Sequence, residues 1–194
     1  WRTIYDDLND LLMRDWSNIQ HGLYPAPPLA ETNPISNARK SVSFFRDLSA
    51  VNRRRQAGIG QEVFRPSLRG HYPRYYLQNF HYQSGGYLTD ESAALYDHQV
   101  EVLFVGGADA MRRQCLGSLI QFLKTAAFQK TKHLDVACGT GRFLTVLKDA
   151  RPRLRVTGVD LSLPYLRKAQ RGLKDWSRTG IVQANAEGLP FADA

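Results

Sequence analysis

The sequence has no apolar run approaching the roughly 18 residues that a membrane-spanning helix requires, so no transmembrane segment is expected. It also has no basic leader followed by an apolar stretch. The opening at Trp1 argues against an intact signal peptide and reads as a piece lacking its natural start. Phe191-Ala192-Asp193-Ala194 reads as equally abrupt, because the pattern before it should lead into another strand. Cysteine is scarce: Cys115 and Cys138 fall in different predicted elements. Two reduced, unpaired thiols are expected, as in the cytoplasm or a plastid-stroma-like reducing compartment. With no companion histidine cluster they make no structural zinc site, and no metal is expected.

Charge of one sign dominates what is present. The net charge is +8, and most of it is arginine, clustered at Arg53-Arg54-Arg55, at Arg65, Arg69 and Arg74, at Arg112-Arg113, and at Arg151, Arg153 and Arg155. Such a balance can attract nucleic acid or an anionic membrane surface. The clusters are dispersed along the chain, however, which favours solvated helix faces and loops. At 194 residues and 43% apolar, the chain can bury one core with a helical extension.

Helical periodicity predicts an amphipathic helix from Thr3 to about Gln20, with Ile4, Leu8, Leu11, Leu12 and Trp16 as its apolar stripe and Thr3 and Asp6 as a capping pair. Gly22 and the prolines that follow end it, leaving a linker over about 21–35. A second helix is predicted from about Ala38 to Gln56, closed by Gly58. Residues 58–89 have no clear period. Their aromatic run of Tyr72, Tyr75, Tyr76, Phe80, Tyr82 and Tyr87 reads first as an irregular segment packed on a neighbouring core. Thr89 caps a helix from Asp90 to about Val105, and another runs from Ala108 to about Ala127 with Met111, Cys115, Leu119, Phe122 and Leu123 buried. From residue 132 strands and helices alternate: strands at 133–137, 155–160 and 180–184, helices at 142–150 and 164–176. That rhythm argues for right-handed crossovers and a parallel sheet.

The turn Cys138-Gly139-Thr140-Gly141 joins the first strand to a helix and brings bare backbone up to a ligand at the helix start. Asp160 ends the next strand, 21 positions after Gly139, where an acidic side chain can accept from ribose hydroxyls. Two features oppose a nicotinamide dinucleotide. Leu144 stands where its third fingerprint glycine belongs, and Asp135 would set a carboxylate beside the pyrophosphate. A ligand with an ammonium and a cationic sulfonium suits Asp135 better. No Gly-Lys-Ser/Thr follows the turn, so it is not a P-loop.

These residues resemble a family. His133-Leu-Asp-Val-Ala-Cys-Gly-Thr-Gly141 is similar to motif I of class I methyltransferases, and Val156-Thr-Gly-Val-Asp-Leu-Ser162 to their second motif. Ala184-Asn-Ala-Glu-Gly-Leu-Pro-Phe191 resembles a segment common in the quinone- and sterol-methyltransferase-like branch. Within 75–113, Gln78-Asn79-Phe80-His81-Tyr82 and Ala108-Asp109-Ala110-Met111-Arg112-Arg113 are similar to uncharacterised methyltransferase-like proteins of photosynthetic organisms. The resemblance implies an α/β, Rossmann-like parallel sheet truncated after its third strand. Residues 1–107 would be a helical and irregular N-terminal region, and 108–194 the N-terminal half of the methyltransferase domain. S-adenosyl-L-methionine is the implied cofactor. Asp135 would meet its ammonium, with Ala137, Cys138, Gly139 and Gly141 in the surrounding turn. Asp160 would hold the ribose, Leu161 would pack on the adenine, and Asn185 and the Ala186 backbone would meet the adenine edge. The family often has Asp where Asn185 stands; an amide oxygen still accepts but adds no charge.

The implied reaction is methyl transfer to a small-molecule or lipid-like acceptor. An RNA methyltransferase and a non-catalytic nucleotide-binding module of the same fold are the alternatives. The resemblance places the base and acceptor pocket after a fourth strand. His71, His81, Tyr82 and His98 are the weak candidates within the chain. An unpaired sheet edge is expected beside the first strand.

Overall fold

The computed structural model describes residues 2–27, 70–77, 85–125 and 130–192, together with Val42, Asn52, Arg53, 56–58 and Leu68. Helix α1 spans Arg2–Gln20. A 3-10 turn at Arg74–Leu77 precedes α2, Asp90–Leu103, and α3, Ala108–Thr125. Then come β1 (Lys132–Val136), α4 (Arg142–Ala150), β2 (Arg155–Asp160), α5 (Leu163–Gly172) and β3 (Thr179–Gln183). The helix expected over 38–56 lies mostly outside the described residues, as do Phe80, His81 and Tyr82.

The sheet is parallel with order β1-β2-β3, and helical crossovers connect the strands as the alternation predicts. Its register pairs Val136 with Val159 and Asp160 with Gln183, so the carboxyl ends of all three strands come together. Ligands of open α/β sheets bind at that end. Period-2 alternation turns His133 and Val156 toward the helical layer, with the His133 ring 5.9 Å from that of Phe143 on α4. Leu134 and Val136 point the other way and remain 41% and 40% exposed.

One apolar cluster joins the layers: Leu144 and Leu147 of α4, Leu166 of α5, Val156 of β2, and Leu116, Ile120 and Leu123 of α3. Lys148 is fully buried in the same region. Its ammonium donates to the carbonyls of Pro152, Leu154 and Ser177, so three carbonyls share one buried cation. Thr89 caps α2 as predicted, accepting from the Ser92 amide at 3.1 Å.

Two helices are rotated from their expected faces. On α1, Leu8, Leu11, Asn18 and Ile19 turn inward around buried Asp15, while Ile4, Leu12 and Trp16 are exposed, and Thr3 lies inside the helix rather than capping it. On α3 the buried stripe is Arg113, Leu116, Ile120 and Leu123, and Met111, Cys115 and Phe122 face outward. Arg113 and Asp15 meet across the α1–α3 contact as a buried ion pair, and each lies on the inward side of its helix. Tyr24, beyond the end of α1, is buried and donates to Asp15 Oδ1 at 2.9 Å.

Candidate functional site

The first turn after β1 leaves the sheet through left-handed backbone at Ala137 (φ 62°), Gly139 (φ 55°) and Gly141 (φ 72°). The Cys138 amide still bonds Val159 O at 2.9 Å, holding the turn to β2. Gly141 then starts α4 pressed on α5, where an added Cβ would stand 2.8 Å from Ala169 Cβ. At Gly139 an added Cβ would meet only Tyr165 Cδ1, 4.0 Å away. The turn is therefore packed on one side and bare on the other.

Asp160 is fixed by the two turns it joins. Oδ2 accepts from the Gly139 amide at 2.9 Å and Oδ1 from the Ser162 amide at 2.8 Å. Each carboxylate oxygen has a second lone pair, so acceptor capacity remains. Burial, and next the Asp160 charge, push the Asp135 carboxyl up to about 6. Among the described residues, neither carboxylate takes part in an ion pair.

A cavity of about 320 Å³ opens over the strand ends, within the range of small-molecule sites. Its floor includes Val136, Ala137 and Gly139 from the first turn, Val159, Asp160 and Leu161 from the second, and Ala184, Asn185 and Ala186 after β3. Of the residues singled out in the sequence, Ala137, Gly139, Asp160, Leu161, Asn185 and Ala186 thus share one cavity. Asp135, Cys138 and Gly141 adjoin it without lining it. Cys138 is buried, with its Sγ 2.8 Å from where a Cβ on Gly158 would stand, and burial pushes its thiol up to about 12. The Asn185 side chain makes a local turn: its Oδ1 accepts from the Glu187 amide at 3.1 Å, and its Nδ2 donates to Glu187 Oε2 at 3.0 Å.

The remaining lining is tyrosine: Tyr75, Tyr76, Tyr87 and Tyr96 from the N-terminal region, and Tyr165 from α5. The aromatic run, which in sequence reads first as packing, thus supplies part of the cavity lining. Tyr96 gave no separate signal, since it sits in the periodic pattern of α2. Polar contacts fasten this wall to the sheet. Thr140 Oγ donates to Asp97 Oδ1 at 2.7 Å, Lys168 pairs with Asp97 at 2.7 Å, and Ser162 Oγ donates to the Tyr87 carbonyl. Gln183 Nε2 donates to Leu161 O at 3.0 Å and reaches the Tyr72 hydroxyl at 3.4 Å. Of the weak base candidates, His71 is exposed and His98 half-buried; neither lines the cavity.

Residues 134–194 match a family described as a methyltransferase domain. Over 106 residues the chain is 31% identical to a demethylmenaquinone methyltransferase of Thermotoga maritima, a stretch covering 55% of this chain and 42% of that protein. It is 34% identical over 104 residues to a ubiquinone/menaquinone biosynthesis C-methyltransferase of Bartonella quintana, covering 50% and 38%. A malonyl-[acyl-carrier protein] O-methyltransferase of Xylella fastidiosa is 34% identical over 61 residues, covering 31% and 21%. The chain thus spans less than half the length of these relatives.

A glycine turn between β1 and a helix, with an acid ending β2, on a parallel sheet of this order defines a nucleotide-binding Rossmann-like unit. Over residues 134–194 that unit is similar to methyltransferase domains.

Proposed function

We propose that this chain forms the donor-binding part of an S-adenosylmethionine-dependent methyltransferase acting on a small-molecule or lipid-like acceptor. The observation that carries the reading is electrostatic. Asp160, with Asp135 beside it, bounds a glycine-floored cavity, and no described cation pairs with either carboxylate. A phosphate there would meet two like charges, whereas an ammonium would meet a partner.

On this reading the Asp135 carboxylate holds the methionyl ammonium, and the free lone pairs of Asp160 accept from the ribose hydroxyls. Gly139 gives the donor backbone to lie against. Leu161 packs on the adenine, while Asn185 and the Ala186 amide address its edge. When bound, S-adenosylmethionine supplies a methyl group on cationic sulfur that an acceptor nucleophile displaces in line. Such a step needs alignment and exclusion of water more than a strong acid. The tyrosine wall excludes water from one side of the cavity.

The quinone and acyl-carrier substrates named for the relatives support a small or lipid-like acceptor. The arginines placed by the described residues around the sheet give little support to RNA. Arg113 is engaged by Asp15, and Arg112 and Arg142 by Asp109. Arg153 and Arg155 lie at the start of β2, at the end of the sheet away from the cavity.

Calorimetric titration of this chain with S-adenosylhomocysteine and with NAD tests the donor. Heat from the first alone is the expected result, and saturable binding of NAD alone would sink the proposal. Labelled methyl donor incubated with the protein, lipid extract and RNA tests the acceptor. Label should enter the lipid fraction, and label in RNA only would reverse that part of the reading.

A further inference from the structure

We propose that Tyr76, Tyr87 and Tyr96, which lie outside the segment matching the methyltransferase family, form the wall that selects the cationic donor over its neutral thioether product. The inference rests on the donor reading above and adds to it the residues that sense charge at sulfur.

The wall is a continuous set of rings. Tyr76 lies 5.5 Å from Tyr87, Tyr87 lies 5.6 Å from Tyr165, and Tyr165 lies 5.1 Å from Tyr96. All four line the cavity together with the strand-end floor, whose charged side chain is Asp160. The wall's own surroundings are negative: the carboxylate of Asp160 bears on Tyr76, Tyr87 and Tyr96 alike. Arg112, which also bears on Tyr96, is held by Asp109 at 2.8 Å and by Glu101 at 3.7 Å. Burial, ahead of every other influence, keeps these three phenols protonated well beyond neutral pH, so the rings are neutral π surfaces.

A neutral aromatic surface attracts a cation through its quadrupole, more strongly where water is excluded. It attracts a thioether only by dispersion. Methyl transfer turns the sulfonium into a thioether, so this attraction disappears at the moment the product forms. The wall then grips the donor and loosens on the product, which opposes product inhibition. The wall is also held in place: α2 is tied to the glycine turn through Asp97 and Thr140, and the Tyr87 backbone to Ser162.

The test uses the full chain, with binding of S-adenosylmethionine and S-adenosylhomocysteine measured separately. Tyr96→Leu and Tyr76→Leu should weaken the sulfonium ligand roughly three- to thirty-fold, the range expected for one desolvated aromatic–cation contact. The thioether should move by less than about twofold. Tyr96→Phe and Tyr76→Phe keep the ring, and should keep the preference even if removing a buried leucine-for-tyrosine packing contact destabilises the first pair. An equal loss for both ligands, or no change for either, overturns the wall and leaves the donor site standing. If the unaltered chain binds neither ligand, the donor reading fails and the wall fails with it.

Discussion

Asp15 and Arg113, 98 positions apart in the chain, meet as a buried two-point ion pair: Nε to Oδ1 at 2.8 Å and Nη2 to Oδ2 at 2.6 Å. The Tyr24 hydroxyl adds a third contact to the same carboxylate, at 2.9 Å. Such a pair is weak evidence of net stabilisation, because both ions lose their water. The role that remains for it is orientation, fixing which side of α1 lies on α3, and this is open to test.

Breaking the pair from one side should therefore be costly. Asp15→Ala leaves a guanidinium buried without its carboxylate, and about 3–5 kcal/mol of unfolding free energy should be lost in urea titration. The double change Asp15→Leu with Arg113→Met removes both charges and should recover most of that. If the single change costs under about 1 kcal/mol, the pair does not hold α1 in place.

The turn after β1 gives a paired test of backbone strain. Ala137 sits at φ 62°, a region costing an L residue roughly 1–2 kcal/mol. Ala137→Gly removes that strain but enlarges the unfolded ensemble, so a net change between zero and about 1 kcal/mol in the stabilising direction is expected. Gly141→Ala combines φ 72° with a Cβ 2.8 Å from Ala169 Cβ and 3.2 Å from Ala169 Cα. It should lose about 2 kcal/mol or more. Thermal midpoints moving in the same direction for both variants would contradict this account of the turn.

Asp135 predicts a pH dependence whose sign is set by burial. Its carboxyl is raised to about 6 from 3.8, so the folded chain holds this proton more tightly than the unfolded chain does. The free protein should then lose stability, on the order of 2 kcal/mol, as pH rises from about 4 to about 6, with no further change from this group above that. A bound ammonium favours the ionised form, so donor affinity should rise over the same interval. Asp135→Asn should flatten both profiles and weaken the donor. An unchanged donor affinity in this variant would remove Asp135 from the ammonium site.

How much was legible in the sequence follows from how local each signal is. Strand β2 and helix α4 have the bounds the pattern predicts, because Pro152 and the glycine turn punctuate them and the apolar period is unbroken. Asp160 and Gly139 were legible as a pair, and the structure joins them by a hydrogen bond at 2.9 Å. The faces of α1 and α3 were misread because hydrophobic periodicity treats Asp15 and Arg113 as surface residues. Only a partner 98 positions away makes them interior ones. The tyrosine wall has no shared period, because its members come from separate segments. Tyr75, Tyr76 and Tyr87 come from irregular chain, and only the ties to Thr140 and Ser162 reveal that packing residues also line the cavity.

The edge of the sheet supplies a last prediction. Among the described residues no strand pairs with the outer edge of β1, and Leu134 and Val136 on that strand are 41% and 40% exposed. An open edge carrying apolar side chains is a template for pairing with another copy. This chain should therefore associate in a concentration-dependent way in sedimentation velocity, and Leu134→Lys, which adds a charge to the edge strand without touching the cavity lining, should shift it toward monomer. Val136 is unsuitable for the test because it does line the cavity. A monodisperse monomer at all concentrations for the unaltered chain would mean that the β1 edge and its apolar face are tolerated by solvent as they stand.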